Sequence, residues 1–324
     1  MPYHPLRSHY DLNTQARTES SLMRRLNYFL ALSRTPHALI DLASPALAAL
    51  FCLGSVPSWH IVFVGFITAF AGYTAVYSLN DIVDFRVDLQ GRHNDTTERT
   101  VQDLDGLFVR HPLAKGLIPY GQAVVWALFW ATLALIGAWS LNPFCLVIFI
   151  CAAFLEVVYC FLLKITWLRS IVSGFVKSSG PVAAVFAVNA DPPGLFLLQM
   201  FLFFFFWEIG GQNVPNDLSD LEGDRELGAK TIPVRFGIRT SVQIIVFSLC
   251  MTYGLGFVLF SMFPAPFSGF LLAAAGVCGF FLLLLPAIRL YRSQETDRAL
   301  SLFNRASYYP LALLACFVIG LLFK

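Results

Sequence analysis

The sequence predicts an all-α polytopic membrane protein in which nine transmembrane helices surround a central cavity. The first observation is the composition, because 57% of the 324 residues are hydrophobic and only 13% are charged. Soluble domains carry about 25% charged residues, so this composition excludes an ordinary soluble domain. The second observation is a series of long apolar runs, and the third is the placement of basic residues between them.

Nine apolar runs each approach the length of about 20 residues that a helix needs to cross a bilayer. Proline or glycine marks several of their boundaries, as expected at helix ends. The predicted spans are Pro36–Gly54, Trp59–Leu79, Gly121–Leu141, Pro143–Leu163, Leu168–Val188, Gly194–Gly211, Thr240–Phe263, Pro264–Leu290 and Tyr308–Phe323.

Residues 1–35 form a polar N-terminal segment, and residues 36–324 form the membrane domain. The helical spacing of apolar residues from Ser20 to Leu32 predicts a helix lying on the membrane surface. The alternative is a disordered tail followed by the first span. Twenty of the 22 Lys and Arg residues fall in this segment and in alternate loops. By the positive-inside rule, the N-terminus and the loops after the even-numbered spans are predicted to be cytoplasmic, with the C-terminus on the opposite side.

A nine-residue pattern, N-D-x-x-D-x-x-x-D, occurs twice, at Asn80–Asp88 and at Asn216–Asp224. The copies are 136 positions apart, and each ends an apolar run. This offset matches a unit of four spans, so it predicts a pseudo-repeat of four-helix units that brings the copies together at the cavity. On a helix the first, fifth and ninth positions of each copy share a face, whereas the second positions point about 100° away.

The three residues that share a face in each copy form an acidic stripe along the helix. Two such stripes facing each other would bring carboxylates close together, and carboxylates repel one another unless a cation neutralises them. Oxygen-only ligands favour Mg²⁺ over zinc, and Mg²⁺ held by few carboxylates keeps positions for substrate phosphates. One copy alone would be ordinary solvated charge, but two copies in register favour a site. The predicted catalytic carboxylates are Asp84, Asp88, Asp220 and Asp224, and the predicted metal ligands are Asn80, Asp81, Asp84, Asn216, Asp217 and Asp220.

Basic residues follow each motif, with Arg110 and Lys115 after the first and Arg225 and Lys230 after the second. Guanidinium and ammonium groups bind phosphate, so their place beside the acidic stripes predicts a diphosphate site. Each residue alone is better explained by membrane topology or lipid headgroup contact. The long polar stretch Leu89–Val109 is predicted to be a mobile cytoplasmic cap that closes over the diphosphate.

A tunnel for a lipid chain is predicted from the aromatic content. The chain has 32 Phe residues, and Phe201 and Phe203–Phe206 precede the second motif on the same span. These rings, with Phe203 and Phe204 among them, are predicted to line and close the tunnel and to stabilise a carbocation. The alternative is that they face lipid.

The first motif is followed by R-H-P-L-A-K-G at Arg110–Gly116, and the second continues as NDLSDLEGDRELGAKTIPVRFG from Asn216 to Gly237. Together these elements resemble the UbiA superfamily of intramembrane prenyltransferases. Tyr159 and Lys164 resemble a Tyr/Lys pair of that family, which implies that they also contact the diphosphate. The chain departs from the family pattern in its longer gap before Arg110, and in His111 and Lys115.

The resemblance implies a function in which Mg²⁺ bridges the Asp stripes to an allylic prenyl diphosphate, whose C–O bond ionises. A lipophilic acceptor, usually aromatic, then captures the carbocation within the lipid bilayer. Quinone-precursor, glycerophosphate-ether and terpenoid-type acceptors all fit the sequence. Asp41 and Glu208 lie at membrane depth, where they would either bind or deprotonate the acceptor or form interhelical hydrogen bonds. Nothing in the sequence indicates a nucleic-acid partner or an obligatory protein partner.

Two other functions use the same features. A UbiA-type terpene cyclase would ionise the same donor but quench the cation within its own chain. A Mg²⁺ channel or cation-coupled transporter would need carboxylates in the membrane, but not the R-x-P and T-I-P-V elements beside them. Those elements favour prenyl transfer.

Overall fold

The computed structural model describes residues 22–91, 108–264 and 267–321, and every regular element within these ranges is a helix. Nine of the helices in the described ranges are long and apolar enough to cross a membrane, which confirms the predicted fold class. They are α1 (Thr35–Leu53), α2 (Trp59–Gly91), α3 (Tyr120–Leu141), α4 (Pro143–Lys164), α5 (Arg169–Val188), α6 (Gly194–Ser219), α7 (Ile232–Ser261), α8 (Phe267–Ser293) and α9 (Thr296–Leu321). Two further helices cover residues 22–32 and Leu221–Leu227.

Consecutive helices from α2 to α9 pack against one another, and α9 packs against α1. The Ala43–Leu53 half of α1 packs against α5, whereas α1 contacts α2 mainly through its first half, Thr35–Asp41. Space therefore remains between the second half of α1 and α2. The largest apolar core lies on the other side of the bundle, among α1, α6, α7, α8 and α9.

A π-helical turn, Glu208–Asn213, interrupts α6 just before the second motif. Pro215 lacks an N–H and cannot bond the carbonyl oxygen of Gly211, but Nε2 of Gln212 donates to that oxygen at 3.0 Å. A Cβ at Gly210 would lie 2.8 Å from the Cβ of Ser248 on α7. The glycine therefore lets the two helices pack closely where the turn widens. Such turns are frequent at functional sites.

Both acidic motifs lie on helices, as assumed from their four-residue spacing. Asn80–Asp88 continues α2 without a break. The second copy bends at Asp220, which has φ −101° and ψ 13°, between α6 and the helix Leu221–Leu227. The backbone N–H of Asp220 still donates to Asn216 O (3.1 Å), and that of Asp224 to Asp220 O (2.9 Å). One-turn spacing is therefore kept despite the bend.

Candidate active site

One cavity of about 610 Å³ lies between α1, α2, α4, α5, α6 and α9. This volume is within the range of roughly 300–1,000 Å³ that is usual for small-molecule sites. Its wall follows α2 from Ile61 to Asn80, a distance of about 28 Å at 1.5 Å per residue. The end near Asn80 is polar, and the end near Ile61 is apolar. The cavity therefore has the shape and polarity that suit a lipid with a charged head.

Hydrogen bonds hold the polar end together across three helices. Asn80 of the first motif donates through Nδ2 to Oε1 of Glu156 on α4 at 2.8 Å. Asn213 on α6 donates through Nδ2 to the hydroxyl of Tyr159 on α4 at 3.1 Å. All four side chains line the cavity, together with Arg34, Arg110 and Asn216. Helix α4 thus connects the regions of both motifs.

The second position of each motif pairs with an arginine. Arg34, directly before α1, lies 3.8 Å from Asp81, and Arg169, at the start of α5, lies 3.5 Å from Asp217. The two arginines are 135 positions apart and the two aspartates 136. Both aspartates are buried. The repeated pair is consistent with the predicted pseudo-repeat, and it shows that these aspartates face arginines and not open solvent.

Arg169 stands between the two motifs. Its guanidinium interacts electrostatically with Asp84 of the first motif and with Asp217 and Asp224 of the second. The guanidinium carbon lies 4.1 Å from the ring centroid of Tyr159, a cation–π contact. Carboxylates of both motifs therefore share one buried cation, so the fold brings the two copies together.

Two side-chain oxygen atoms near Arg169 are suitable ligands for a hard divalent cation. Oδ2 of Asp217 and Oδ1 of Asn213 are buried and lack a hydrogen-bond partner within the described ranges. They lie one turn apart on α6. A buried oxygen without a donor is costly, and oxygen ligands are those that Mg²⁺ prefers. The residues present therefore fit Mg²⁺.

A second group of possible ligands lies at the end of α2. Asp81, Asp88 and His111 each offer one ligand atom, and these atoms lie within 4.8 Å of one another. Nδ1 of His111 is 2.9 Å from Oδ2 of Asp88. His111, with φ 49°, thereby ties the segment after the first motif back to α2. Residues 92–107 of the predicted cap lie outside the described residues.

A further polar layer lies deeper in the bundle. Glu208 lines the cavity, and its Oε1 accepts a hydrogen bond from Ser173 on α5 at 2.6 Å. Asp41 does not line the cavity; its Oδ2 accepts hydrogen bonds from the hydroxyl of Tyr77 and from Nζ of Lys177, the latter at 2.5 Å. Both carboxylates thus form interhelical hydrogen bonds, but of the two only Glu208 also lines the cavity.

The model of the UbiA prenyltransferase family matches residues 42–317 of this chain. The chain belongs to the UbiA prenyltransferase family. It is 24% identical to the digeranylgeranylglyceryl phosphate synthase of Pyrococcus abyssi (strain GE5 / Orsay), over 67% of this chain and 71% of that protein. It is 26% identical to the 4-hydroxybenzoate octaprenyltransferase of Aliivibrio salmonicida (strain LFI1238), over 72% of this chain and 76% of that protein.

Solved structures of UbiA homologues share this fold. The apo structure of a UbiA homologue from Aeropyrum pernix K1 matches with a TM-score of 0.69 and 14% identity, covering 88% of this chain and 98% of that one. A UbiA homologue from Archaeoglobus fulgidus bound to DMAPP and Mg²⁺ matches with a TM-score of 0.61 and 19% identity, covering 89% and 99%.

The predicted diphosphate ligands of this UbiA-family chain separate into two groups. Arg110 and Tyr159 line the cavity. The others do not: Lys115 is half-buried, and Lys164, Arg225 and Lys230 are exposed. Lys164 ends α4, Arg225 lies on the short helix Leu221–Leu227, and Lys230 lies between that helix and α7.

The prediction that Phe203 and Phe204 line the tunnel is wrong. Both side chains are fully buried in the core away from the cavity. The ring of Phe203 lies 6.1 Å from that of Tyr309 on α9, and the ring of Phe204 lies 6.2 Å from that of Trp207. Neither residue lines the cavity. Small residues such as Gly65 line the apolar part of the cavity instead.

Sequence reasoning missed four residues that the fold places at the cavity or beside the motifs: Arg34, Arg169, Ser173 and Lys177. Arg34 and Arg169 were counted only as topology signals. Their spacing of 135 positions nearly equals the motif offset of 136, so a search for repeats beyond the acidic motif would have found them. Lys177, a cation inside a span, was a second available signal.

Proposed function

We propose that this prenyltransferase moves a prenyl group from an allylic prenyl diphosphate to a lipophilic acceptor inside the membrane, with Mg²⁺ as cofactor. One observation carries the proposal: Asn80 and Asn216 of the two acidic motifs line one end of a cavity together with Arg34 and Arg110, and the far end of that cavity is apolar. A diphosphate with an apolar tail has this distribution of charge. Relatives named as prenyltransferases, and the solved structure of a homologue bound to DMAPP and Mg²⁺, support this proposed function.

The head of the donor would lie among the motifs. Asn80, Asp84, Asn216 and Asp220 are the main proposed Mg²⁺ ligands, and Asp217 offers to the same ion its Oδ2, which has no hydrogen-bond partner in the described ranges. Asp88 and Asp224 complete the acidic rim. Mg²⁺ bound there would neutralise the carboxylates and the charge of the diphosphate. Arg34, Arg110 and Arg169 would contact the phosphate oxygens as bidentate donors.

The tail would run along α2 toward the apolar end. Each buried CH₂ stabilises the complex by about 0.8 kcal/mol, so a cavity that follows α2 for about 28 Å would hold several isoprene units. Tyr73 and Tyr77 line the same wall. Aromatic faces attract cations, so these rings would stabilise the allylic cation next to the polar end.

The orientation of the chain follows from its basic residues. We propose that the N-terminus and both motifs face the cytoplasm, where a water-soluble diphosphate enters. Labelling single cysteines introduced at an exposed position of each loop would test this.

Transfer is tested with purified protein in lipid nanodiscs, given labelled prenyl diphosphates of three lengths and a panel of acceptors. We expect prenylated acceptor and free diphosphate in equal amounts, and neither when Mg²⁺ is chelated. Cyclic hydrocarbon formed without any acceptor would instead identify a cyclase. Mg²⁺ flux in proteoliposomes without turnover of any diphosphate would identify a transporter.

A further inference from the structure

The deeper polar layer of the cavity presents a carboxylate oxygen that nothing in the described structure satisfies. Glu208 is 7% exposed and lines the cavity. Its Oε1 accepts from Ser173, but its Oε2 is buried and has no hydrogen-bond partner in the described ranges. An ionised carboxylate only accepts hydrogen bonds, and leaving one unsatisfied in a buried site is costly. This oxygen therefore suits a ligand that donates a hydrogen bond.

A hydrogen-bond donor without a partner faces the same layer. Tyr73 lines the cavity from α2, and its buried hydroxyl has no partner among the described residues. Tyr73 and Glu208 interact electrostatically. One side chain can thus donate a hydrogen bond and the other can accept one. A hydroxyl group, which both donates and accepts, complements the two together.

The charge in this layer disfavours an anionic ligand. The positive charge of Lys177 is already paired with Asp41 at 2.5 Å, and its Nζ lies 5.7–5.9 Å from the ring centroids of Tyr73, Tyr77 and Trp207. With both carboxylates ionised, Asp41, Lys177 and Glu208 together carry a net charge of −1. A carboxylate or phosphate placed against Glu208 would meet like charge in a poorly solvated site.

The position of the layer matches that of a second substrate. Glu208 precedes Asn216 by eight residues on α6, and Lys177 follows Arg169 by eight on α5. Both therefore lie about 12 Å deeper than the motifs at 1.5 Å per residue. A group bound at Glu208 would lie beyond the diphosphate, on the side of the cavity where the first carbon of the prenyl chain points.

We propose that Glu208 and Tyr73 bind the hydroxyl of a neutral lipophilic acceptor, a phenol or an alcohol without a carboxylate or phosphate group. This inference rests on the proposed prenyl transfer. In the reaction, the bond between the first prenyl carbon and oxygen breaks, and its electron pair stays on the diphosphate. The acceptor forms the new C–C or C–O bond with its own electron pair, and the proton that it loses passes to the carboxylate of Glu208.

The first test compares acceptors in pairs that differ only in an anionic group. One pair is 4-hydroxybenzyl alcohol and 4-hydroxybenzoate, and another is an alkylglycerol and its phosphate ester. We expect kcat/KM at least tenfold higher for the neutral member of each pair, because the anion loses a hydrogen bond and meets like charge. A preference for the anionic member in either pair would overturn the proposal.

The second test uses Glu208→Gln and Tyr73→Phe, which keep side-chain size. We expect each to raise the KM of the neutral acceptor about tenfold and to leave Mg²⁺-dependent donor binding, measured without acceptor, within twofold. Glu208→Gln should also lower kcat, because an amide cannot take up the proton that the acceptor loses. Tyr253→Phe is the matched control, because Tyr253 bonds Gly276 O between α7 and α8 and does not line the cavity. Wild-type KM for the acceptor in both variants would overturn the inference, and Tyr73→Phe decides it if Glu208→Gln fails to fold.

Different results would contradict prenyl transfer and the neutral acceptor. If wild-type protein neither binds a prenyl diphosphate with Mg²⁺ nor releases diphosphate with any acceptor, the proposed function itself is wrong. If it transfers prenyl groups but only to carboxylated or phosphorylated acceptors, prenyl transfer stands and the neutral acceptor is wrong.

Discussion

Arg169 donates a hydrogen bond from its guanidinium to Oδ1 of Asp217 in the second acidic motif at 3.5 Å, and both side chains are buried. A buried ion pair is a weak source of stability, but removal of one partner leaves an uncompensated charge. Because Asp84 and Asp224 also interact with this guanidinium, the arginine holds carboxylates of both motifs close together. Its position suits a group that binds the diphosphate beside the carboxylates of both motifs.

We therefore expect Arg169→Lys to lower turnover by about 100-fold, the scale on which one transition-state donor acts. The ammonium keeps the charge but loses the planar fork and the stacking on Tyr159. Arg239→Gln, which changes an exposed arginine, should keep the wild-type rate. Steady-state kinetics with a saturating donor measure both, and a rate for Arg169→Lys within threefold of wild type would contradict the proposed role.

Asp84→Ala and Asp220→Ala should each reduce turnover below about a tenth of wild type, because loss of a metal ligand costs several kcal/mol of transition-state stabilisation. The apparent affinity for Mg²⁺ should fall as well. Glu222→Ala is the matched control, since Glu222 is an exposed carboxylate on the short helix after Asp220. Retention of more than a tenth of the rate in both aspartate variants would remove these residues from the metal site.

Gly65→Leu should shift donor preference toward shorter prenyl chains. Gly65 lines the apolar part of the cavity, and a Cβ built there meets nothing within 4 Å. It lies fifteen residues from Asn80 on α2, or about 22 Å along the helix, so a larger side chain would fill the space of the tail and spare the motifs. Relative kcat/KM for three donor lengths measures the shift.

Gly254→Leu is the control for this change, because a Cβ at Gly254 also meets nothing within 4 Å and the residue does not line the cavity. It should keep the wild-type order of donors. An unchanged order in Gly65→Leu would show that the tail does not reach this part of the wall.

Asp41→Asn should destabilise the protein by about 3–5 kcal/mol, because it removes the carboxylate that Lys177 contacts directly, in a pair that is largely buried. The double variant Asp41→Asn/Lys177→Met should recover most of this loss. Glu295→Gln, which breaks an exposed pair with Arg298 at 3.5 Å, should cost less than about 1 kcal/mol. Unfolding in detergent measures all three, and a double variant no more stable than Asp41→Asn would mean that the lysine is not held by this aspartate.

The nine spans could be predicted because the signal for a transmembrane helix is local. An apolar run of about 20 residues is sufficient evidence for a span, and the structure places helices over every predicted run in the part of the chain that it describes. The acidic motifs were equally visible, since their repetition at a fixed offset needs no knowledge of packing. Span boundaries were less accurate: α6 continues to Ser219, because the π-helical turn and Gln212 satisfy the backbone around Pro215.

What lines the cavity was decided by tertiary structure. Lipid tails and the protein core are both apolar, so the side of a transmembrane helix that faces a cavity, a neighbouring helix or lipid leaves little trace in its hydrophobic pattern. Phe203 and Gly65 illustrate this, because the phenylalanine enters the core and the glycine lines the cavity.

The sequence by itself determined the membrane class, the spans, the two acidic motifs and the family that they resemble. Only the tertiary structure decided that Asp81 and Asp217 face arginines, that Asp41 is paired with Lys177, and that Glu208 is left facing the cavity. The physical reason is that composition and periodicity are properties of a segment, whereas the partner of a buried charge comes from another helix far away in the chain. For Asp41 and Lys177 that distance is 136 residues.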